Sequence, residues 1–409
     1  QLSPGERHRI EKPVTENIRA YQLYHKQQRL NGNDPDKNRE AIGLLEQSLE
    51  LDPGFAEARA RLSWRHTWES RLTGDPAEAA RAEALALEAL EQDPDLPWGY
   101  YALASALAEL ERMEEVGAAV ARTYELDPNA DFILTDGSYY YATSGMPAEG
   151  LEMAFHAVRL DPNNPNVRWH AFLPLIFLGD TGRTTAWLQL GRDEGMEFHR
   201  LAAAEAELEL AKGNPDESAA IARDMLERYP DILEARLMAM HLLFLTGNAL
   251  EVGDQLVAMG REAPGAWAMS HFAPRSQRAL MGFVLAEQGD KAAARRVFDE
   301  SLEAAKAAVT KGSTWQGRAL DAASIHAYRG DQEAALRELE RAYDLGFRAD
   351  FALAVDPFFM SLREAPRFEA LLERMADSQR EQREIARRTG ALEGYDALIA
   401  AGSARLELP

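Results

Sequence analysis

Apolar residues recur along this chain at the spacing of amphipathic helices, in short stretches that end at glycine, proline or polar positions. One such stripe consists of Ala41, Ile42, Leu44, Leu45 and Leu49. Residues three and four positions apart share one face of an α-helix, so each stripe predicts a helix with a single apolar side. The pattern therefore predicts an all-α chain built from many short helices.

Two helix-breaking residues recur with a common period of 34. The glycines are Gly145, Gly179, Gly213 and Gly247. The prolines of the second series are Pro128, Pro162, Pro230 and Pro264, with Met196 where one proline is missing. Glycine readily adopts the left-handed backbone of a tight turn, whereas proline ends a helix. Each period therefore predicts a hairpin: helix A, a turn at the glycine, and helix B, which ends before the proline.

Several positions refine this pattern. Asp75, Asp290 and Asp331 each stand directly before a predicted helix B, and we expect them to cap its first turn. Arg112-Met113 stands where the third repeat would carry its turn glycine. Pro174 lies inside a predicted helix A, and we expect it to kink that helix.

The phase of the repeats predicts a leader, nine hairpins and a closing segment. A solenoid buries apolar surface only between neighbours, so its last hairpin needs a cover with a polar exterior. The predicted boundaries are 1–14 for the leader, 15–54, 55–96, 97–130, 131–164, 165–198, 199–232, 233–266, 267–315 and 316–347 for the repeats, and 348–409 for the cap and tail.

The composition narrows the classes of function. The 409 residues carry 45 Lys and Arg against 67 Asp and Glu, a formal net charge of −22, which argues against a general binder of nucleic acid or of anionic membranes. The longest apolar run, from Ala171 to Leu178, is too short to cross a bilayer. There is no cysteine, which excludes disulfides, thiolate metal sites and cysteine nucleophiles. The chain begins at Gln1 rather than at Met, which suggests a processed or trimmed piece of a longer protein.

Motifs that carry chemistry are absent from the sequence. None of the nine histidines belongs to a His-Glu-x-x-His pair, and no two of them are four residues apart. No pairing of a nucleophile with a general base can be argued from the pattern. We therefore predict a protein that is not an enzyme and that uses no metal and no cofactor.

The repeats resemble the tetratricopeptide superfamily over roughly residues 15–347. The resemblance rests on the 34-residue step, on Ala41 within a helix B signature, and on the Leu-Asp-Pro endings at Pro53, Pro128 and Pro162. It implies a right-handed α-solenoid whose A helices line a concave groove. The segment from Pro13 to Tyr24 and the tail are also similar to the repeat region of bacterial signalling proteins with a TolB-like domain and an adenylate cyclase or winged-helix domain.

If the A helices line a groove, their large side chains are candidates for contact with a partner. Rows at the 34-residue step contain Trp98 with Phe132, Tyr101 with Trp169, and Tyr139 with His241. The candidate groove residues are Trp64, Trp68, Trp98, Tyr101, Phe132, Tyr139, Trp169 and His241. Aromatic side chains give large contact area at low entropic cost, which suits recognition of a peptide. The alternative is that they pack between helices, and the pattern leaves both open.

Two functions follow as hypotheses. The first is a non-catalytic scaffold that holds a peptide or protein partner in the groove, with the acidic charge favouring a basic or apolar segment. The second is the regulatory or sensory region of a larger bacterial signalling protein. Neither nucleic acid nor direct membrane insertion is expected. Homodimer formation stays open, as does the compartment, which could be the cytoplasm or the periplasm.

Overall fold

The computed structural model describes residues 14–30, 32, 34–73, 75–162, 164–196, 198–262, 272 and 274–406. In this part of the chain, helices joined by short turns form the structure, and no strand is present, which confirms the all-α class. The chain divides into two compact units. The first comprises Gln1–Ile133 with Gly312–Thr314, and the second comprises Leu134–Lys311 with Trp315–Pro409.

The helices that begin within the first unit alternate between the A and B members of successive hairpins. In chain order they are α1 (Ile18–Gln27), α2 (Pro35–Leu51), α3 (Ala56–Thr73), α4 (Pro76–Gln92), α5 (Pro97–Glu109), α6 (Met113–Leu126) and α7 (Asp131–Thr143).

Aspartate side chains determine where several of these helices begin and end. Asp75 caps α4 as predicted, because its carboxylate accepts the N–H of Ala77 at 2.9 Å. At the other end of the hairpins, Asp52 accepts the N–H of Gly54 at 3.0 Å, and Asp127 does the same with the residue two positions on. These Asx turns reverse the chain before the next helix A, which explains the repeated Leu-Asp-Pro sequence.

Small side chains allow the helices of the first unit to pack closely. Alanines with no exposed surface lie at the helix contacts, among them Ala41, Ala58 and Ala82. Tyr24 and Phe55 fill the wider space between the first two hairpins. Each hairpin therefore buries its apolar side against the next one, as a solenoid requires.

The third hairpin turns without glycine. Glu111 lies 34 residues before Gly145 and adopts the left-handed backbone conformation itself, with φ of 60°. The segment that includes Ser313 and Thr314 stabilises this turn: the Ser313 hydroxyl donates to the Glu111 carboxylate at 2.7 Å, and the Thr314 N–H donates to the Glu111 carbonyl at 2.9 Å. The prediction put Arg112-Met113 in place of the turn glycine, but the residue with the left-handed conformation is Glu111, one position earlier. Arg112 directly precedes α6.

The second unit continues the alternation and adds the closing segment. Its helices are α8 (Pro147–Leu160), α9 (Pro165–His170), α10 (Phe172–Phe177), α11 (Thr181–Asp193), α12 (His199–Ala211), α13 (Pro215–Arg228), α14 (Leu233–Leu245), η1 (Ala249–Val252), α15 (Gly253–Glu262), α16 (Gln277–Glu287), α17 (Lys291–Thr310), α18 (Gln316–Tyr328), α19 (Gln332–Asp344), α20 (Asp350–Val355), η2 (Pro357–Leu362), α21 (Pro366–Arg388) and α22 (Ala391–Leu406).

The glycine series occupies the turns, as predicted. The φ angles are 84° at Gly145, 66° at Gly179, 82° at Gly213 and 80° at Gly247, and each residue separates the two helices of one hairpin. Asp290 and Asp331 cap the helices that follow them, α17 and α19. The leader, except for Val14, and Pro264 lie outside the described residues.

Pro174 divides the A helix of the fifth hairpin into α9 and α10. The break falls at Ala171. The carbonyl of the preceding residue, His170, lies four positions before Pro174 and therefore lacks its usual N–H donor. A proline inside a helix both removes that hydrogen bond and collides with the preceding turn. The predicted kink is therefore present as a break in the helix.

The closing segment does more than cover the last hairpin. The side-chain oxygen of Gln382 on α21 accepts the N–H of Ala148 at 3.2 Å, and Arg383 donates to the carbonyl of Leu178. On α22, the buried Tyr395 hydroxyl donates to the carbonyl of Ala171. The tail thus packs against the fourth and fifth hairpins, far away in sequence.

One glycine turn makes a contact that has no room for a side chain. Gly346 has φ of 101°, and a Cβ atom built on it would lie 2.5 Å from the Ser144 carbonyl oxygen. We predict that Gly346→Ala lowers the free energy of unfolding by about 3 kcal/mol or more, since the steric clash adds to the left-handed strain. Gly213→Ala is the control, because its φ is similar and nothing lies within 4 Å. It should cost only about 1–2 kcal/mol in denaturant titrations. Equal losses would contradict the packing assigned to Gly346.

Candidate interaction surface

A row of aromatic rings follows the A helices of the first unit at the 34-residue step. The ring centroids of Trp64 on α3 and Trp98 on α5 are 6.3 Å apart, and those of Trp98 and Phe132 on α7 are 4.5 Å apart. The edge-to-face arrangement of both pairs is favourable for aromatic rings. Trp64, which lies 34 residues before Trp98, is the first member of this row.

Two further predicted residues join the row and complete one surface. Trp68 lies one turn after Trp64 on α3 at 5.9 Å, and Tyr101 contacts Trp98 at 4.8 Å and Phe132 at 4.7 Å. We call these five residues the aromatic face. Trp64, Trp68 and Phe132 are half-buried, whereas Trp98 and Tyr101 are only 8% and 7% exposed. Two members are therefore buried among the helices, whereas the other three are partly exposed.

Three guanidinium groups from α3 lie over the tryptophans of the aromatic face. The guanidinium carbon of Arg61 is 3.3 Å from the ring centroid of Trp98, and that of Arg65 is 5.2 Å from Trp64. The third, Arg71, is 4.9 Å from Trp68. Cation–π contacts of this kind are worth about 0.5–2 kcal/mol each and hold the rings in place.

The three arginines differ in how their charge is compensated. Arg71 forms an ion pair with Glu109 at 2.6 Å. Arg65 donates to the carbonyls of Gln27 and Leu30, both at 2.9 Å, and burial together with the charge of Arg61 lowers the pKa of Arg65 to about 10. Within the described part of the chain, neither Arg61 nor Arg65 has a carboxylate at ion-pair distance.

A neighbouring carboxylate is occupied by another group. The hydroxyl of Tyr24 donates to Glu57 at 2.7 Å. Burial raises the pKa of Tyr24, and the Glu57 charge adds to this effect while the Arg61 charge opposes it. The Arg61–Arg65 pair therefore lies in a partly buried, aromatic environment, where the Tyr24 hydroxyl, rather than a carboxylate, interacts with Arg61.

In the second unit the same repeat position carries polar residues that neutralise one another. Arg200 donates to Asn166 at 2.7 Å and to Glu234 at 2.9 Å, and all three lie at the 34-residue step. The guanidinium of Arg200 covers Trp169, which is 7% exposed, at 4.9 Å. Burial acts to raise the pKa of Glu234, but hydrogen bonds from His199 and Arg200 outweigh it and lower the pKa to about 2.

The remaining predicted residues have contrasting environments. Tyr139 on α7 is 38% exposed. His241 on α14 is 1% exposed, and burial, with the charge of Arg275, lowers its pKa to about 3. The imidazole is therefore neutral and does not reach the surface in this structure.

The chain itself covers the A helices around His241. Arg275 and Asp356 form an ion pair at 2.7 Å, and both side chains are completely buried. Phe358 of η2 packs between Phe244 of α14 and Phe283 of α16, with centroid distances of 5.5 and 5.1 Å. Residues of the closing segment thus pack on the A helices α14 and α16.

The described residues contain no group of three or more histidine and acidic side chains with the arrangement of a metal site. None of their helices is both long enough and apolar enough to cross a bilayer.

The buried ion pair gives a test of how the closing segment is held. We predict that Asp356→Asn lowers the free energy of unfolding by about 3–5 kcal/mol, because the Arg275 charge would stay buried without a counter-charge. The double variant Arg275→Met with Asp356→Leu should recover most of this loss, since no buried charge remains. Chemical denaturation of the three proteins measures both effects. A double variant as unstable as Asp356→Asn would show that the pair acts through shape rather than charge.

The low pKa of Glu234 makes a second test possible. Its folded-state pKa lies below the usual value near 4.5, so its contribution to stability is complete above that pH and decreases as the pH falls towards 2. We predict that Glu234→Gln is less stable than the parent by about 3 kcal/mol at neutral pH. The difference should fall by more than half at about pH 3. A difference independent of pH would contradict the ionic role of Glu234.

Comparisons with known proteins give limited similarity. No family model matches the chain. A segment of 122 residues is 32% identical to putative adenylate cyclase 3 of Rhizobium meliloti, and the match covers 28% of this chain. It spans 20%, about a fifth, of that curated relative's length.

The matches to solved structures are at low sequence identity. The structure of Pseudomonas aeruginosa pilF is 20% identical with a TM-score of 0.40, and the alignment covers 54% of this chain and 94% of that one. Naa15/Naa10 bound to HypK-THB is 14% identical with a TM-score of 0.32, covering 94% and 68%. A tetratricopeptide repeat protein from Parabacteroides merdae is 11% identical with a TM-score of 0.29, covering 89% and 99%.

Proposed function

We propose that this protein is a non-catalytic scaffold and that the aromatic face of the first unit holds a segment of a protein partner. The observation that supports this best is the continuous contact of Trp64, Trp98 and Phe132 on successive A helices, in which Trp64 and Phe132 remain partly exposed. An extended or helical peptide that crosses successive hairpins would meet one large ring per repeat.

The composition of the face supports protein recognition. Tryptophan, tyrosine and arginine are the residues that contribute most binding energy at interfaces, particularly where some members are already buried and rigid. Trp98 and Tyr101 provide this rigid base, so little side-chain entropy is lost when a partner docks. The corresponding surface around His241 in the second unit is covered by the closing segment, which favours the first unit as the binding site.

A second function is favoured by the similarity to an adenylate cyclase. We propose as the alternative that the repeats regulate a signalling protein of that kind, as part of the same polypeptide or bound to it. The reading frame that encodes this chain would be extended in both directions, and any cyclase domain in it assayed with and without the repeats. Activity that does not change on removal of the repeats would exclude this alternative.

The scaffold proposal predicts peptide binding that depends on the aromatic face. A random-peptide phage library is selected on the full chain, and enriched peptides are measured by anisotropy and by tryptophan fluorescence. We expect Trp68→Ala and Phe132→Ala each to weaken binding at least about tenfold, as for interface hot spots. The matched control is Leu87→Ala, which truncates an exposed apolar residue on helix B of the same unit and should have no effect.

Two results would contradict the proposal. The first is that no peptide is enriched on the folded protein. The second is that enriched peptides bind both aromatic-face variants as tightly as the parent. Circular dichroism and thermal unfolding of every variant separate a loss of contact from a loss of fold, because Trp68 and Phe132 are only half-buried.

A further inference from the structure

We propose that the segment bound by the aromatic face carries a carboxylate next to an apolar side chain, and that the Arg61–Arg65 pair binds this carboxylate. The inference rests on the proposed function and names the chemistry of the partner. It also reverses the expectation from the total charge, which favoured a basic or apolar segment.

The arrangement of the two arginines is unfavourable in the chain alone. Arg61 and Arg65 lie one helical turn apart on α3, where like charges destabilise a helix. Arg65 is 3% exposed, and only neutral oxygen atoms of Gln27 and Leu30 accept its hydrogen bonds. A buried cation is normally compensated by an anion, and the described residues place no carboxylate within ion-pair distance of either arginine.

Several N–H donors around the pair have no acceptor. They are Nε of Arg61, Nη1 of Arg65, and the indole nitrogens of Trp68 and Trp98. Trp98 and Arg65 are each more than nine-tenths buried, so water does not readily replace the missing partner. All four groups are donors, which selects an acceptor as the complementary ligand group.

The second unit shows how this fold satisfies a guanidinium that lies over an indole ring. Arg200 covers Trp169 at 4.9 Å, and Glu234 supplies a carboxylate at 2.9 Å from the next repeat. Arg61 covers Trp98 at 3.3 Å in the same manner but has no such carboxylate. The missing component of the first unit is therefore one carboxylate, which we assign to the partner.

The surroundings favour a single carboxylate over a polyanion. The cationic group is small and bordered by aromatic rings, and the chain as a whole carries a charge of −22 that repels a long anionic polymer. An aspartate or glutamate flanked by an apolar side chain matches both parts of the surface, because the carboxylate contacts Arg61, the half-buried member of the pair, while its neighbour packs on Trp64 or Trp68.

The test uses peptides enriched on the full chain from the random-peptide library. We expect the enriched sequences to contain Asp or Glu, and replacement of that residue by Asn or Gln to weaken binding about ten- to a hundredfold, as for a charge-assisted hydrogen bond. Raising the salt concentration should weaken binding of the acidic peptide and leave binding of its amide counterpart unchanged. These comparisons use only the parent protein and do not depend on any variant folding.

Variants of the protein then locate the carboxylate. Arg61→Gln should abolish the difference between the acidic peptide and its amide counterpart. Arg122→Gln, the matched control, removes a guanidinium of the same unit that Asp95 and Glu125 already pair, and it should preserve the difference. In competition experiments, an oligothymidylate and a phosphoserine version of the peptide are each tested against the unmodified library peptide.

The outcomes separate the two proposals. Peptides that depend on Trp68 and Phe132 but show no preference for the carboxylate would overturn this inference and leave the scaffold function in place. Enrichment of lysine and arginine, or tighter Arg61-dependent binding of the phosphoserine peptide or the oligonucleotide, would also overturn it. Absence of any binding that depends on the aromatic face would instead remove the proposed function itself.

Discussion

The structure depends on one constraint: a pair of short amphipathic helices has too little apolar surface to be stable alone. Each hairpin must therefore present that surface to its neighbour at a constant step. The left-handed turn makes this possible, because it brings helix B back against helix A within very few residues. Glycine provides the turn at four consecutive steps, and where glycine is missing, Glu111 adopts the same conformation with hydrogen bonds from Ser313 and Thr314.

The same repeat position has different consequences in the two units. In the first unit it carries Trp64, Trp98 and Phe132, which contact one another and leave an accessible aromatic surface. In the second it carries Asn166, Arg200 and Glu234, which form a closed polar network. Because both units share the 34-residue step, the difference arises from the side chains. The aromatic side chains of this row are therefore confined to the first unit.

The arginines of the core and of the proposed site differ in how their charge is compensated. Arg275 is completely buried, and Asp356 from the closing segment neutralises it, so this contact belongs to the stable interior. Arg200 is neutralised by the adjacent repeat. Arg61 and Arg65 lack such a carboxylate and lie beside rings that remain accessible. The contrast among these arginines supports the proposal that the first unit, rather than the surface around His241, binds a partner.

Local sequence specifies the helical class, the step of the repeats, the turn glycines and the break at Pro174, because helix-forming and helix-breaking residues act on their own neighbourhood. The row from Trp64 to Glu234 follows from the 34-residue spacing. Which aromatic residues remain partly exposed depends instead on tertiary packing. The surroundings of His241 include Arg275, which pairs with Asp356, a residue far away in the chain. The spacing of residues does not predict such contacts, since a pattern of apolar residues specifies which face of a helix is buried but not which segment buries it.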